Sequence, residues 1–338
     1  MIVEMKSGAV QREIDEVVFL ARELGLNVQL NRGTDKVVVA LLGSDTGTIS
    51  ADQFALMPGV ENVTRIMKPY KLAAREFQKR DTVVDVAGIA IGGRQLVVMA
   101  GPCAVENEAQ LAESARVARE AGAAVLRGGA FKPRTSPFSF QGMKKNGLEL
   151  LDKIRQTYGM PVITEVVDAH DAEMMSEYID VFQVGSRNMQ NFSLLTRLGQ
   201  LRKPVVLKRG FACTITEWLT AADYILAEGN TRVILCERGI RTFEPSTRFS
   251  LDISSIPVVK KASHLPILVD PSHAAGHYSL VPALARAAVA AGADGLLIEM
   301  HPQPRQALVD GIQSLSPSDF RRLMAELKPI ATAVGREI

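Results

Sequence analysis

From residue 96 onward the chain alternates short, uninterrupted apolar runs with longer stretches of helical periodicity. The runs fall at 97–100, 124–126, 162–164, 181–184, 205–207, 233–235, 267–269 and 295–298. Strands buried on both faces of a parallel sheet read as such continuous apolar segments, because helices cover both sides. The intervening stretches, such as 108–121 and 280–291, place apolar residues on one helical face. Eight βα repeats predict a (β/α)8 TIM barrel over residues 96–338, with a doubly wound open sheet as the competing architecture. Upstream the pattern differs: strand at 1–5, helix at 10–24, strands at 27–30 and 37–42, a short helix at 52–57 and a strand at 60–67. This βαββαβ order predicts a small ferredoxin-like domain over residues 1–68. Gly25 stands where the helix should stop, and Asn31-Arg32-Gly33 reads as a turn between strands. Residues 69–95 read as a charged linker followed by a short hairpin, placed to plug the bottom of the barrel.

Composition narrows the partners. A formal net charge of +2 over 338 residues gives no global reason to bind nucleic acid or an anionic membrane. No apolar run is long enough to cross a bilayer, and the first residues do not read as a secretion signal, so a cytoplasmic location is expected. Cys103, Cys213 and Cys236 are too few and too scattered for a disulfide framework. Each is either buried filler or chemistry.

In a TIM barrel the residues just after the strands face one mouth, where catalysis occurs. Here those positions carry Cys103, Arg127, Glu165, Arg187, Lys208 with Arg209, Glu237 with Arg238, Asp270 with His273, and Glu299 with His301. So many charges would be costly to bury without ligands or partners. Cys103, His273, Glu299 and Asp310 offer a thiolate, an imidazole and two carboxylates, a set suited to a divalent transition metal. Arg127, Lys132, Arg187, Lys208 and Arg238 supply five cations to the same mouth, which calls for a strongly anionic substrate or two phosphorylated ones. The densest signal is RGGAFKPRTSPFSFQG from Arg127: Arg127, Lys132 and Arg134 lie beside Gly128 and Gly129, glycines that are expected to let backbone approach a ligand closely.

That motif, with AGPCAVE from Ala100, VGSRNMQNF from Val184, LKRGF from Leu207, ILCERGIRTFE from Ile234, LVDPSHAAG from Leu268 and IEMHPQPRQALVDG from Ile298, resembles the 3-deoxy-D-arabino-heptulosonate 7-phosphate (DAHP) synthases, in the subfamily with an N-terminal ferredoxin-like regulatory domain. The resemblance covers the whole chain. It implies condensation of phosphoenolpyruvate with erythrose 4-phosphate at the head of the shikimate pathway. It assigns phosphoenolpyruvate to Arg127, Lys132, Arg187, Lys208 and Arg238, and erythrose 4-phosphate to Lys132, Pro133, Arg134 and Thr135. One divalent metal, such as Mn, Fe, Co or Zn, falls to Cys103, His273, Glu299 and Asp310. Lys132, Glu165 and Lys208 are the catalytic candidates, Lys132 as proton donor and Glu165 in hydration. The resemblance further implies tyrosine or phenylalanine as feedback effector and a homo-oligomer, a tetramer by preference. His277, Gln303 and Ser186 depart from the usual pattern without removing a ligand. The nearest alternative is the sister enzyme forming 3-deoxy-D-manno-octulosonate 8-phosphate, whose second-substrate loop differs from KPRTSP. A Schiff-base aldolase using Lys208 is the alternative of another reaction class.

Overall fold

The computed structural model describes residues 1–338 other than 34–35, 44–45, 47–48, 66–67 and 135. The chain forms two compact units, Met1–Arg80 with Ala262–His264, and Asp81–Lys261 with Leu265–Ile338.

In the first unit β1 (Ile2–Met5), α1 (Gln11–Glu23), β2 (Asn27–Arg32), β3 (Val37–Leu42), α2 (Asp52–Ala55) and β4 (Val60–Thr64) follow the expected order. The sheet runs β2-β3-β1-β4, antiparallel throughout. Ile14, Val17 and Ala21, spaced along one helical face, pack with Val3, Met5, Val39, Leu41 and Phe54. One turn was misplaced by sequence: Asn31 and Arg32 belong to β2, paired with Val38 and Val37. Their polar side chains suit an edge strand, so polarity there does not mark a turn. The β4 residues expected beyond Arg65, at 66–67, lie outside the described residues. The segment 69–80, read from sequence as a linker, buries Tyr70, Leu72, Ala73, Ala74 and Phe77 and groups with the first unit.

The second unit opens with a hairpin, β5 (Val84–Val86) and β6 (Ile89–Ile91). The eight strands that follow are β7 (Val97–Gly101), β8 (Val125–Arg127), β9 (Val162–Val166), β10 (Val181–Val184), β11 (Val205–Lys208), β12 (Val233–Glu237), β13 (Ile267–Val269) and β14 (Gly295–Glu299). All pair in parallel, and β14 pairs with β7 to close the barrel. Helices α3 (Glu108–Glu120), α4 (Lys145–Tyr158), α5 (Ala172–Ser176), α6 (Phe192–Leu201), α7 (Ile215–Ala227), α8 (Ser255–Ala262), α9 (Pro271–Ala275), α10 (Val281–Ala290) and α11 (Pro317–Ala333) follow in turn. The barrel interior is a packed core of Val97, Met99, Val125, Ile163, Val181, Val206, Ile234, Leu268 and Leu297, joined by Val84, Val86 and Ile91 of the hairpin. Gly92 lies against Pro266, the residue before β13, so the hairpin closes the end where the strands begin. Cys236 points into this core and is filler, its thiol pushed up by burial.

Several strands run a residue or two beyond the apolar runs. Arg127, Lys208, Glu237 and Glu299 are the last residues of β8, β11, β12 and β14, and Glu165 lies within β9. These five charges are therefore held by the barrel strands themselves, while Arg187, Arg209, Arg238, Asp270, His273 and His301 follow the strands as expected.

Candidate active site

Four donor groups meet at the mouth. Cys103 follows β7, His273 sits in α9 just after β13, Glu299 ends β14, and Asp310 lies in the loop beyond it. Their ligand atoms all lie within 4.8 Å of one another. The Cys103 thiol donates to Asp310 Oδ2 at 3.3 Å, and His273 Nε2 stands 3.4 Å from Glu299 Oε1. His273 Nδ1 donates to Asp270 Oδ2 at 2.7 Å, which turns Nε2 toward the carboxylates. Burial pushes the His273 imidazole down, against the pull of Asp270 and Glu299, and so favours the neutral, ligating form. Burial, reinforced by Glu299, pushes the Cys103 thiol up to about 12. Burial and the carboxylates outweigh the opposing pull of Lys132 and Arg127 on this thiol, and a divalent transition metal is the further cation this sulfur, nitrogen and oxygen set fits. Asp310 adopts a left-handed backbone, φ 52°, to bring its carboxylate in.

Beside this cluster is a cavity of about 300 Å³ lined by Lys132, Arg134, Glu165, Arg187, Lys208 and Arg238, together with Arg241 and Arg248. Lys132 Nζ donates to the Cys103 carbonyl and sulfur, each at 3.1 Å, and so stands between cluster and cavity. Lys208 Nζ is held by Asp270 at 2.5 Å. Arg238 is different. It is only 4% exposed, and among the described residues it has no carboxylate partner, only the Gly239 carbonyl at 3.5 Å. Its guanidinium lies 3.9 Å from the centre of the Phe249 ring, which stacks on Phe211. Burial brings its pKa down to about 10. A buried, unpaired cation facing a cavity is a site prepared for an anion.

Comparison with known proteins places this arrangement. Residues 76–334 match the DAHP synthetase I family, and residues 1–68 match the DAHP synthase ferredoxin-like domain. The chain belongs to the DAHP synthetase I family. It is 48% identical over 338 residues, 100% of both chains, to the phospho-2-dehydro-3-deoxyheptonate aldolase of Thermotoga maritima. The crystal structure of that DAHP synthase superposes with a TM-score of 0.79, covering 99% of this chain and 98% of that one. A truncated form of the Thermotoga enzyme gives a TM-score of 0.75 over 80% of this chain and 99% of that one. A 2-dehydro-3-deoxyphosphooctonate aldolase of Syntrophotalea carbinolica is 32% identical over 270 residues, 74% of this chain and 96% of the relative.

Within this DAHP synthetase I barrel the strand-end residues divide by task. Arg127 pairs with Glu299 Oε1 and is 2% exposed, so it braces the cluster and is not among the cavity-lining residues. Glu237 accepts from Arg209 at 2.8 Å and from the Gly239 backbone at 2.6 Å, which shapes the turn that presents Arg238. His301 accepts from the Gln303 backbone at 3.0 Å, and its other ring nitrogen faces Glu106 at 3.4 Å. Glu106 in turn accepts from the Leu308 backbone at 2.8 Å, which pins the loop carrying Asp310. Gly129 is crowded from within the protein. What comes close is the Cys103 carbonyl and the Lys132 side chain, which an added Cβ would meet at 2.6 and 2.8 Å. Thr135 lies outside the described residues, while Pro133 and Arg134 line the cavity. The sequence reading missed Arg241, Arg248, Phe211 and Phe249 as lining residues, and it missed Asp270 as the anchor of both Lys208 and His273. The signal for two of them was available, since GIRTFEPSTRF puts Arg241 and Arg248 on the loop that follows Arg238.

Proposed function

We propose that the chain condenses phosphoenolpyruvate with erythrose 4-phosphate and water to give DAHP and inorganic phosphate. The observation that carries this is Arg238, buried and without a carboxylate partner among the described residues, in a cation-lined cavity that adjoins a thiol, imidazole and carboxylate cluster. Arg238, Arg187, Lys208 and Lys132 hold the phosphate and carboxylate of phosphoenolpyruvate, with Arg127 behind them. Arg134, with Pro133 and Thr135 of the same loop, receives erythrose 4-phosphate. A divalent metal, Mn, Fe, Co or Zn, held by Cys103, His273, Glu299 and Asp310 supplies Lewis acidity toward the aldehyde. The C3 carbon of phosphoenolpyruvate forms the new bond to the aldehyde carbon, and Lys132 delivers a proton to the resulting alkoxide. Water adds at C2, with Glu165 on the cavity wall taking its proton, and cleavage of the C2–O bond releases phosphate. Lys208 is committed to Asp270, which argues against its use as a free-amine nucleophile.

Residues 1–68 act as the regulatory module, with tyrosine or phenylalanine as effector, in a homo-oligomeric, cytoplasmic enzyme. Among the described residues no helix is long and apolar enough to cross a membrane. The test is phosphate release from phosphoenolpyruvate with erythrose 4-phosphate and arabinose 5-phosphate in parallel, with and without chelator. Release is expected with the four-carbon sugar, lost on chelation and restored by a divalent transition metal. Preference for arabinose 5-phosphate would instead indicate octulosonate synthesis.

A further inference from the structure

Gln313 lies at the end of the helical turn Gly311–Gln313, which begins directly after Asp310, and is 2% exposed. Its side-chain amide is fixed between two charged groups. Nε2 donates to Glu299 Oε2 at 2.6 Å, and Oε1 accepts from Arg248 Nη1 at 2.8 Å. A guanidinium can only donate and an ionised carboxylate can only accept, so the amide has one workable orientation. Flipping it would set oxygen against oxygen on one side and N–H against N–H on the other. Arg248 Nη1 also stands 3.4 Å from Asp310 Oδ1.

The two carboxylates of the cluster are thereby restrained in the same way. Glu299 Oε2 and Asp310 Oδ1 are engaged by Gln313 and Arg248. The opposite oxygens face the other donors: Asp310 Oδ2 faces Cys103, and Glu299 Oε1 faces His273 while also accepting from Arg127, which takes up one of its lone pairs and leaves one for a metal. We propose that Gln313, locked by Arg248, is a positioning residue that makes Glu299 present a single oxygen to the metal and ties that carboxylate to Asp310. The proposal rests on the reading of Cys103, His273, Glu299 and Asp310 as the metal-holding set. With Oε2 taken by Gln313 and Oε1 braced by Arg127, the carboxylate cannot swing to chelate through both oxygens, and hydrogen-bonding partners behind metal ligands set both affinity and geometry. The arrangement also disfavours large, oxygen-seeking cations that take bidentate carboxylates.

The experiment uses the full chain stripped of metal, with Co²⁺ as probe and no substrate present. Binding is read by competition with a fluorescent chelator and by the thiolate-to-cobalt absorption that reports Cys103. Gln313→Leu should raise the Co²⁺ dissociation constant about ten- to a hundredfold. Arg248→Met, at a side chain 39% exposed and therefore tolerant of change, should raise it by a smaller factor. The double variant should fall short of the product of the two, because Arg248 acts in part through Gln313. Melting of the metal-free variants separates affinity from folding. Unchanged cobalt affinity in both single variants, whatever their melting temperatures, overturns the proposal. A wild-type chain that binds no cobalt, or binds it without the thiolate band, overturns the metal reading itself and the proposal with it.

Discussion

Asp270 illustrates how much one side chain can hold. Buried just after β13, it accepts from Lys208 at 2.5 Å and from His273 Nδ1 at 2.7 Å. Asp270→Asn leaves a buried ammonium without its counter-charge, and breaking such a pair from one side costs about 3–5 kcal/mol. Urea unfolding of the metal-free protein should show that loss, and Lys208→Met in the same chain should recover part of it. Cys103 answers to a different test. Cys103→Ser removes the soft ligand while nearly preserving volume, so the fold should persist and metal content after gel filtration should fall. A serine variant that retained stoichiometric metal would count against the thiolate as ligand.

At the scale of elements, the ends of β7 and β8 are bound together through Gly129, whose N–H donates to the Cys103 carbonyl at 3.2 Å. Gly129→Ala should force these strand ends apart, at a cost of roughly 1–3 kcal/mol for overpacking. Activity should fall further than thermal stability, because the displaced atoms belong to Cys103 and Lys132. The barrel strands were legible because buried parallel strands need apolar side chains on both faces. Their last residues were not, because Arg127, Lys208 and Glu299 break the apolar run where the site begins. In β2 a polar edge position imitated a turn for the same reason. The chemistry of Cys103 and His273 was visible as residue type at strand ends. The role of Gln313 was not, since its partners lie 14 and 65 residues away and an amide has no distinctive pattern.

For the whole molecule, every proposed catalytic group lies in the second unit, Asp81–Lys261 with Leu265–Ile338. Removing residues 1–68 should leave a folded, active barrel. Steady-state assays should then show loss of inhibition by tyrosine or phenylalanine. An intact enzyme indifferent to both amino acids would remove the regulatory role for these effectors. The hairpin β5–β6 bears on a different property. With the interior packed by its own side chains and the hairpin over the end where the strands begin, the barrel is a dead end, so both substrates and both products must use one doorway. Whatever rests on Arg238, 4% exposed, then has to arrive before whatever rests on the more open Arg134 loop. Enzyme loaded with labelled phosphoenolpyruvate should carry its label into product when chased with erythrose 4-phosphate and excess unlabelled phosphoenolpyruvate, whereas enzyme loaded with labelled erythrose 4-phosphate should lose its label to the chase: traffic in a cul-de-sac is last in, first out.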